Sequence, residues 1–99
     1  MFIIIWKYQV KVESIEEFEA IYASNGTWAE LFKESQGYLG TEFLQDEANP
    51  QIYLTIDRWA SKENYDEFLS HWQEEYKSLD AKCAGLTELE TLLGRWNLK

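Results

Sequence analysis

Two side chains in this sequence have the chemistry to exchange a proton near neutral pH, Asp57 and His71. His71 is the only histidine, and imidazole is the side chain whose ordinary pKa lies closest to neutrality. Asp57 lies within Ile52–Trp59, a predicted strand with large residues on both sides, where burial would raise the pKa of a carboxyl group. Both residues are therefore candidates for a general acid or base.

Strand geometry makes Asp57 the better placed of the two. If Trp59 faces the helices, the two-residue period of a strand puts Thr55 and Asp57 on that same inward side. The alternative is an aspartate at the rim of the sheet that pairs with Arg58 or Arg95. The sequence leaves open which parity of the strand faces inward.

Helix geometry argues against a catalytic role for His71. At about 100° per residue, His71 lies roughly 120° from the centre of the stripe that Tyr65, Phe68, Trp72 and Tyr76 form on the predicted long helix. This angle predicts a position at the solvent edge. His71 remains the second catalytic candidate, although a catalytic role would contradict this geometry.

Aromatic residues make up 16% of the chain, including five Trp and six Tyr. This is more aromatic surface than so small a core needs, so we expect part of it to line a pocket or an interface. For any one of these residues the alternative is ordinary core packing, with Trp59 as a plug beneath the long helix. The candidates for binding a small aromatic molecule are Trp6, Tyr8, Trp28, Trp59, Tyr65 and Trp72.

The charge balance excludes several partners. Lys and Arg number 9 against 18 Asp and Glu, which gives a net charge of −9. Such a chain repels phosphate backbones and anionic lipid, and no basic stripe compensates locally. We therefore expect no nucleic-acid partner and no membrane partner. No His, Cys and carboxylate cluster has metal-ligand spacing and no glycine-rich phosphate loop is present, so we expect no metal and no cofactor.

Targeting signals are also missing from the sequence. Phe2–Trp6 is too short for the core of a signal peptide and lacks its cleavage pattern. No apolar run approaches the roughly 20 residues of a membrane span. Cys83 is the only cysteine, so no disulfide can form within the chain. These features predict a cytoplasmic protein.

Four strands and two helical segments must position the candidate residues, in the order β-α-β-β-α-β. The first strand shows apolar alternation, and the short polar loop Glu47–Pro50 predicts a hairpin between the second and third strands. The predicted strands are 2–12, 38–46, 51–59 and about 88–97.

The helical segments have recognisable start and stop signals. The first begins at a capping box, Ser14–Glu17, and bends at Asn25-Gly26, after which a second capping box, Thr27–Glu30, starts a short helix. The long helix begins after Ser61 and carries apolar residues at spacings of three and four as far as Cys83. The sequence thus predicts one split helix and one continuous helix.

This order is typical of the ferredoxin-like α+β fold, in which right-handed crossovers put both helical segments on one face of a four-stranded antiparallel sheet. We expect residues 1–99 to form a single domain. The other face stays apolar whichever parity is chosen, because Ile3 and Ile5 are joined there either by aliphatic residues of the third strand or by Tyr53 and Trp59. An apolar face of that size predicts a homodimer formed through the sheet.

Several segments match the pattern of a known family. They are Gly37-Tyr38-Leu39-Gly40-Thr41, Tyr53–Trp59, Ser61 with the aromatic-rich helix after it, Leu79–Cys83, Leu86-Thr87 and Gly94-Arg95-Trp96. On these segments the chain resembles the antibiotic biosynthesis monooxygenase-like proteins of the dimeric α+β barrel superfamily. The resemblance covers nearly the whole chain and implies a homodimer with face-to-face sheets and a pocket between sheet and helices in each subunit.

Characterised members of that family include cofactor-free oxygenases of polycyclic phenols, modifiers of small signals and haem-degrading enzymes. Trp59 matches the position of a tryptophan that haem degraders and some oxygenases use. Haem degradation also needs an Asn on the first strand and a His late in the long helix. This chain has Trp6, Lys7 and Tyr8 on the strand and no histidine beyond His71, so the resemblance does not extend to haem.

A cofactor-free oxygenase acts on an electron-rich phenol or anthrone whose enolate itself reduces dioxygen. The protein then supplies a base, donors for the oxyanion and a dry aromatic box. We therefore interpret the chain as a small-molecule-binding homodimer and a cofactor-independent monooxygenase, an oxidoreductase, acting on a planar aromatic or quinol-type substrate. The alternative is a non-catalytic ligand-binding or interaction module of the same fold.

Overall fold

The computed structural model describes residues 1–99 and contains one antiparallel sheet of four strands in the order β2-β3-β1-β4. The central strands β1 and β3 pair along their whole length, with Phe2 opposite Trp59 and Gln9 opposite Ile52. Together with the order of the helices, this arrangement confirms the predicted ferredoxin-like α+β fold. The strands are β1 (Phe2–Val10), β2 (Tyr38–Gln45), β3 (Ile52–Trp59) and β4 (Thr87–Asn97).

The first strand is two residues shorter than predicted. Val12 begins a 3-10 turn, Val12–Ser14, and its side chain is exposed. The neighbouring strands begin at Ile52 and Thr87, so neither extends far enough to pair with a longer β1.

Four helices follow the chain order predicted for the two helical segments. The division of the first segment at Asn25-Gly26 is confirmed, and a Cβ atom at Gly26 would lie 2.6 Å from the backbone oxygen of Ile21. The turn into the second helix therefore requires glycine. No helix has the length and apolar character that a membrane crossing demands. The helices are α1 (Ile15–Tyr22), α2 (Thr27–Phe32), α3 (Lys62–His71) and α4 (Gln73–Cys83).

Of the three predicted side-chain caps at helix starts, the one at Ser61 is correct. Ser61 caps α3, and its Oγ accepts a hydrogen bond from the backbone N–H of Asn64 at 3.1 Å. The capping box at Ser14 is wrong, because a 3-10 turn leads into α1 and the Ser14 side chain caps nothing. The capping box at Thr27 is also wrong, because Gly26 is the N-cap of α2 and Thr27 is already helical.

The predicted continuous long helix is interrupted at one residue. Trp72 has φ −110° and ψ 28°, and it separates α3 from α4. Hydrogen bonds from Trp72 N–H to the Phe68 carbonyl and from Tyr76 N–H to the Trp72 carbonyl, both 2.9 Å, keep the two helices joined. No proline or glycine lies at the break, and the apolar periodicity continues through it. The sequence therefore gave no sign of the break.

The burial pattern of the sheet shows which side chains of β3 face the helices. Alternate residues of β1 and β3 are buried, and they belong to the even positions of β1 and the odd positions of β3. Asp57 and Trp59 therefore point toward the helices. The buried residues of the two strands are Phe2, Ile4, Tyr8, Val10, Tyr53, Thr55, Asp57 and Trp59.

The outer face of the sheet carries no helix and is largely apolar. Five aliphatic residues of the central strands are half-buried there, and edge-strand residues such as Leu89 and Trp96 are 59% and 47% exposed. The charged groups on this face include Arg58 and Glu42, which form an ion pair across β2 and β3. The five aliphatic residues are Ile3, Ile5, Ile52, Leu54 and Ile56.

Candidate functional site

A cavity of about 280 Å³ lies between the inner face of the sheet and the helices. Every strand and every helix contributes to its wall, and ten of its 15 lining residues are hydrophobic. Its size is close to the lower limit of about 300 Å³ for pockets that hold small molecules. The lining residues are Ile4, Trp6, Tyr8, Tyr22, Ala23, Trp28, Ala29, Phe32, Thr41, Thr55, Asp57, Tyr65, Tyr76, Asp80 and Glu90.

Five of the eight predicted site residues lie together on this cavity, namely Trp6, Tyr8, Trp28, Asp57 and Tyr65. They come from β1, α2, β3 and α3, so the fold brings together residues that are far apart in sequence. The aromatic rings form the wall, and Asp57 supplies a carboxylate within it. This combination is what a pocket for a planar aromatic ligand needs.

The other three predicted site residues do not line the cavity. Trp59 has no exposed surface, and its ring packs edge-on against Phe32 and Tyr65 with centroids 5.4 and 5.2 Å apart. It therefore belongs to the core behind the cavity wall. His71 is exposed and packs edge-on against Trp72 at 5.3 Å, beside a separate, open, mainly polar groove.

Asp57 is held by the neighbouring strand β2. Thr41 lies directly opposite it, and the Thr41 hydroxyl donates a hydrogen bond to Asp57 Oδ1 at 2.6 Å. The Tyr38 hydroxyl in turn donates to Thr41 Oγ1 at 2.5 Å, since Thr41 gives its own proton to the carboxylate. Thr41 is the only hydrogen-bond partner of the Asp57 side chain, so Oδ2 is left free on the cavity wall.

Burial shifts the acidity of this carboxyl group. It raises the pKa of Asp57 from the ordinary 3.8 to about 6, with the Thr41 hydrogen bond acting in the opposite direction. No arginine offsets the shift by pairing with Asp57, because Arg58 pairs with Glu42 and Arg95 lies over the Tyr65 ring at 5.4 Å. A carboxylate with a pKa near 6 and a free oxygen is suited to general-base work at neutral pH.

Comparison with known proteins assigns the family. The sequence model of the family described as antibiotic biosynthesis monooxygenase matches residues 1–81. The chain belongs to this family. The matched segment contains every lining residue of the cavity except Glu90. No curated protein matches the sequence.

Solved structures of low sequence identity share the antibiotic biosynthesis monooxygenase fold. SnoaB, a cofactor-independent oxygenase from Streptomyces nogalater, is 17% identical with a TM-score of 0.74 over 99% of this chain and 92% of its own. PA3566 from Pseudomonas aeruginosa is 12% identical, with a TM-score of 0.72 over 99% and 93%. A conserved protein from Methanosarcina mazei Go1 is 20% identical, with a TM-score of 0.67 over 99% and 92%. At these identities the likeness shows the fold.

Sequence reasoning missed several lining residues of this antibiotic biosynthesis monooxygenase family member. Thr41 could have been found from the hairpin, because a correct register places it opposite Asp57. Asp80 follows Tyr76 by four residues, and this spacing puts both on one face of α4. Glu90 lies opposite Tyr8, but an irregularity in the β1–β4 register hides that pairing from simple alternation.

The shifted pKa of Asp57 predicts that Asp57→Asn stabilises the fold above pH 6. Because the pKa rises from 3.8 to about 6 on folding, the stability associated with the neutral carboxyl is complete below pH 3.8 and is lost as the pH rises to about 6. Above that pH, a neutral amide should increase the free energy of unfolding by roughly 1–3 kcal/mol.

Urea unfolding at pH 4 and pH 8 measures this difference, with the variant compared to the wild type at each pH. Asp66→Asn, at a half-exposed surface site, is the matched control and should change little. An equal gain for Asp57→Asn at both pH values would contradict the raised pKa.

Proposed function

We propose that residues 1–99 form one domain of a homodimeric, cofactor-independent oxygenase that acts on a planar aromatic, quinol-type substrate. Asp57 is the general base, and Trp6, Tyr8, Trp28 and Tyr65 form the aromatic wall around the substrate. The observation that carries this proposal is the free, buried Asp57 carboxylate on an aromatic cavity. His71 has no part in it, because it is exposed away from that cavity.

The chemistry needs only a base and an electron-rich substrate. Asp57 takes one proton from the CH₂ carbon of an anthrone, or of the keto tautomer of a quinol. The resulting carbanion, stabilised as an enolate, reduces dioxygen and forms a carbon–oxygen bond. The proton held by Asp57 returns to the peroxide, which loses water and leaves a carbonyl group. One CH₂ group and one O₂ thus become one C=O group and one H₂O, with Asp57 regenerated.

The polar groups near the base suit this cycle. Burial raises the pKa of Tyr8 well above its ordinary value, so its phenol stays protonated. The Tyr8 and Thr55 hydroxyls are hydrogen-bonded at 3.2 Å, and both line the cavity. Hydroxyl groups in such a dry site can donate to a developing oxyanion. The fold shared with SnoaB, itself a cofactor-independent oxygenase, supports the proposal by analogy.

Oxygen uptake tests the proposed reaction. The protein is mixed with a panel of anthrones and quinols, with and without a chelator, and uptake is compared with the uncatalysed rate. We expect acceleration that the chelator leaves unchanged. Acceleration that the chelator abolishes would overturn the cofactor-independent reaction, and tight binding of the panel without acceleration would identify a non-catalytic ligand-binding module.

A cavity-filling variant locates the reaction. Ala23, the C-cap residue of α1, lines the cavity, whereas Ala20 within α1 is exposed and outside it. Ala23→Phe should lower the accelerated rate by about tenfold or more, because its ring displaces the substrate from the reactive position. Ala20→Phe should keep the wild-type rate. Equal rates for the two variants would place the reaction elsewhere on the protein.

A further inference from the structure

The charge of the cavity points to a substrate class, an inference that rests on the proposed function. Three carboxylates line the cavity, Asp57, Asp80 and Glu90, and no Lys, Arg or His lines it. Arg95 on β4 lies opposite Ile4 and over the Tyr65 ring at 5.4 Å, next to two lining residues but not among them. The side chains that line the cavity therefore carry negative charge and no positive charge.

The three carboxylates lie at two different ends of the cavity. Asp57 is buried, whereas Asp80 on α4 and Glu90 on β4 are exposed and lie at the mouth. Partial burial and the charge of Asp80 together raise the pKa of Glu90, which indicates that the two mouth acids lie near each other. On β1, Ile4 is opposite Asp57 and Tyr8 is opposite Glu90. Because Ile4 and Tyr8 are four residues apart, Asp57 and Glu90 are offset by about 13 Å along the strand direction.

Aromatic side chains connect the two ends. Trp6, Tyr65 and Tyr76 line the cavity together with Trp28, whose ring centroid is 4.9 Å from that of Tyr76. The faces of such rings attract cations as well as flat aromatic systems. At the inner end, the side chain of Asp57, a residue that is 8% exposed, hydrogen-bonds only to Thr41, so its carboxylate can accept a further hydrogen bond from a ligand.

We infer that the cavity selects an aromatic substrate carrying a basic amine, with the ring that bears the acidic carbon at Asp57 and the ammonium group at the mouth between Asp80 and Glu90. An acidic aromatic molecule of the same size meets like charge at both ends. The two mouth acids are thus specificity-determining residues, while Asp57 keeps its role as base. The inferred substrate is compact, with about two or three fused rings, in keeping with the cavity volume.

Three probes with one ring system test the charge preference by binding alone. They are 1-naphthylmethylamine, 1-naphthylmethanol and 1-naphthoic acid, which are cationic, neutral and anionic at pH 7.5. Calorimetric titration should give the tightest Kd for the amine and the weakest for the acid, at least about tenfold apart at low salt. Asp80→Asn combined with Glu90→Gln should lower that ratio several-fold, and the preference that remains is due to Asp57.

A remote pair of substitutions controls for the net charge of the protein. Glu16→Gln with Glu47→Gln removes two exposed acids that do not line the cavity, and it should leave the ratio unchanged. Equal affinity for the amine and the acid, or a ratio lowered equally by both double variants, would overturn the inference alone. If no probe binds the wild type and oxygen uptake is also missing, the proposed function itself fails.

Discussion

Asp57→Asn is expected to lower kcat for accelerated oxygen uptake by about 10²–10³-fold, with little change in KM. The amide has the shape of the carboxylate and can still accept the hydrogen bond that Thr41 donates at 2.6 Å. It has no basic oxygen, however, so the step that removes the substrate proton loses its acceptor. Steady-state oxygen consumption with the best substrate of the panel measures the loss.

The pH profile separates a catalytic role from a structural one. For the wild type, kcat/KM should rise with pH through about 6 and then level off, because the base acts in its ionised form and its pKa is about 6. The residual kcat/KM of Asp57→Asn should not rise with pH in this range, and Asp66→Asn should show the wild-type pH profile. If Asp57→Asn keeps both the wild-type rate and the rise of kcat/KM through about pH 6, Asp57 is not the base of the reaction.

The same substitution should stabilise the fold at pH 8 while it destroys the activity. A buried carboxylate that costs stability at neutral pH and has no cationic partner is retained for a reason other than folding. Damage to the structure would lower activity and stability together. The opposite signs of the two effects therefore distinguish loss of the base from loss of the fold.

The fold could be predicted because strand and helix periodicities are local. The alternation from Phe2 to Val10 is the burial pattern that β1 shows, and Ser61 caps α3 as expected. The parity of β3 could not be read from its own residues, because large side chains occupy both of its faces. Only the register with β1, in which Ile4 lies opposite Asp57, decides that Asp57 points inward.

The cavity was harder to predict than the fold. It is the space that packed side chains leave unfilled, and this depends on three-dimensional positions that no single segment specifies. Trp59 has the same inward parity as Asp57, yet it is fully enclosed by rings from α2 and α3. Trp72 belongs to the apolar stripe, but the break in the long helix falls at that residue and the cavity does not reach it.

The outer face of the sheet is the surface through which the proposed homodimer would form. It presents a continuous aliphatic surface on the central strands, with Ile5 opposite Ile56, and an exposed Trp96 at the edge. Helices already occupy the inner face, so nothing within the chain is left to cover this surface. A monomer would expose it to water at a cost of about 25 cal/mol per Å², and pairing about a two-fold axis removes that cost for both copies at once.

Ile56→Lys is expected to convert the proposed homodimer into a folded monomer. Ile56 lies opposite Glu42 on β2, so the lysine can meet an acid within its own chain. In the proposed dimer both copies would bury this charge against the partner's sheet, at several kcal/mol each, which weakens association by at least about a thousandfold. Light scattering at micromolar concentration should fall from twice 11.8 kDa to 11.8 kDa.

The control is Val12→Lys, which adds the same charge at an exposed position outside the sheet and should remain dimeric. Circular dichroism confirms that each variant is folded. If Ile56→Lys unfolds, the smaller Ile56→Thr should still raise the dissociation constant while it keeps the fold. A wild-type protein that scatters as a monomer would contradict the dimer directly, because an unpaired outer face would then be stable in water.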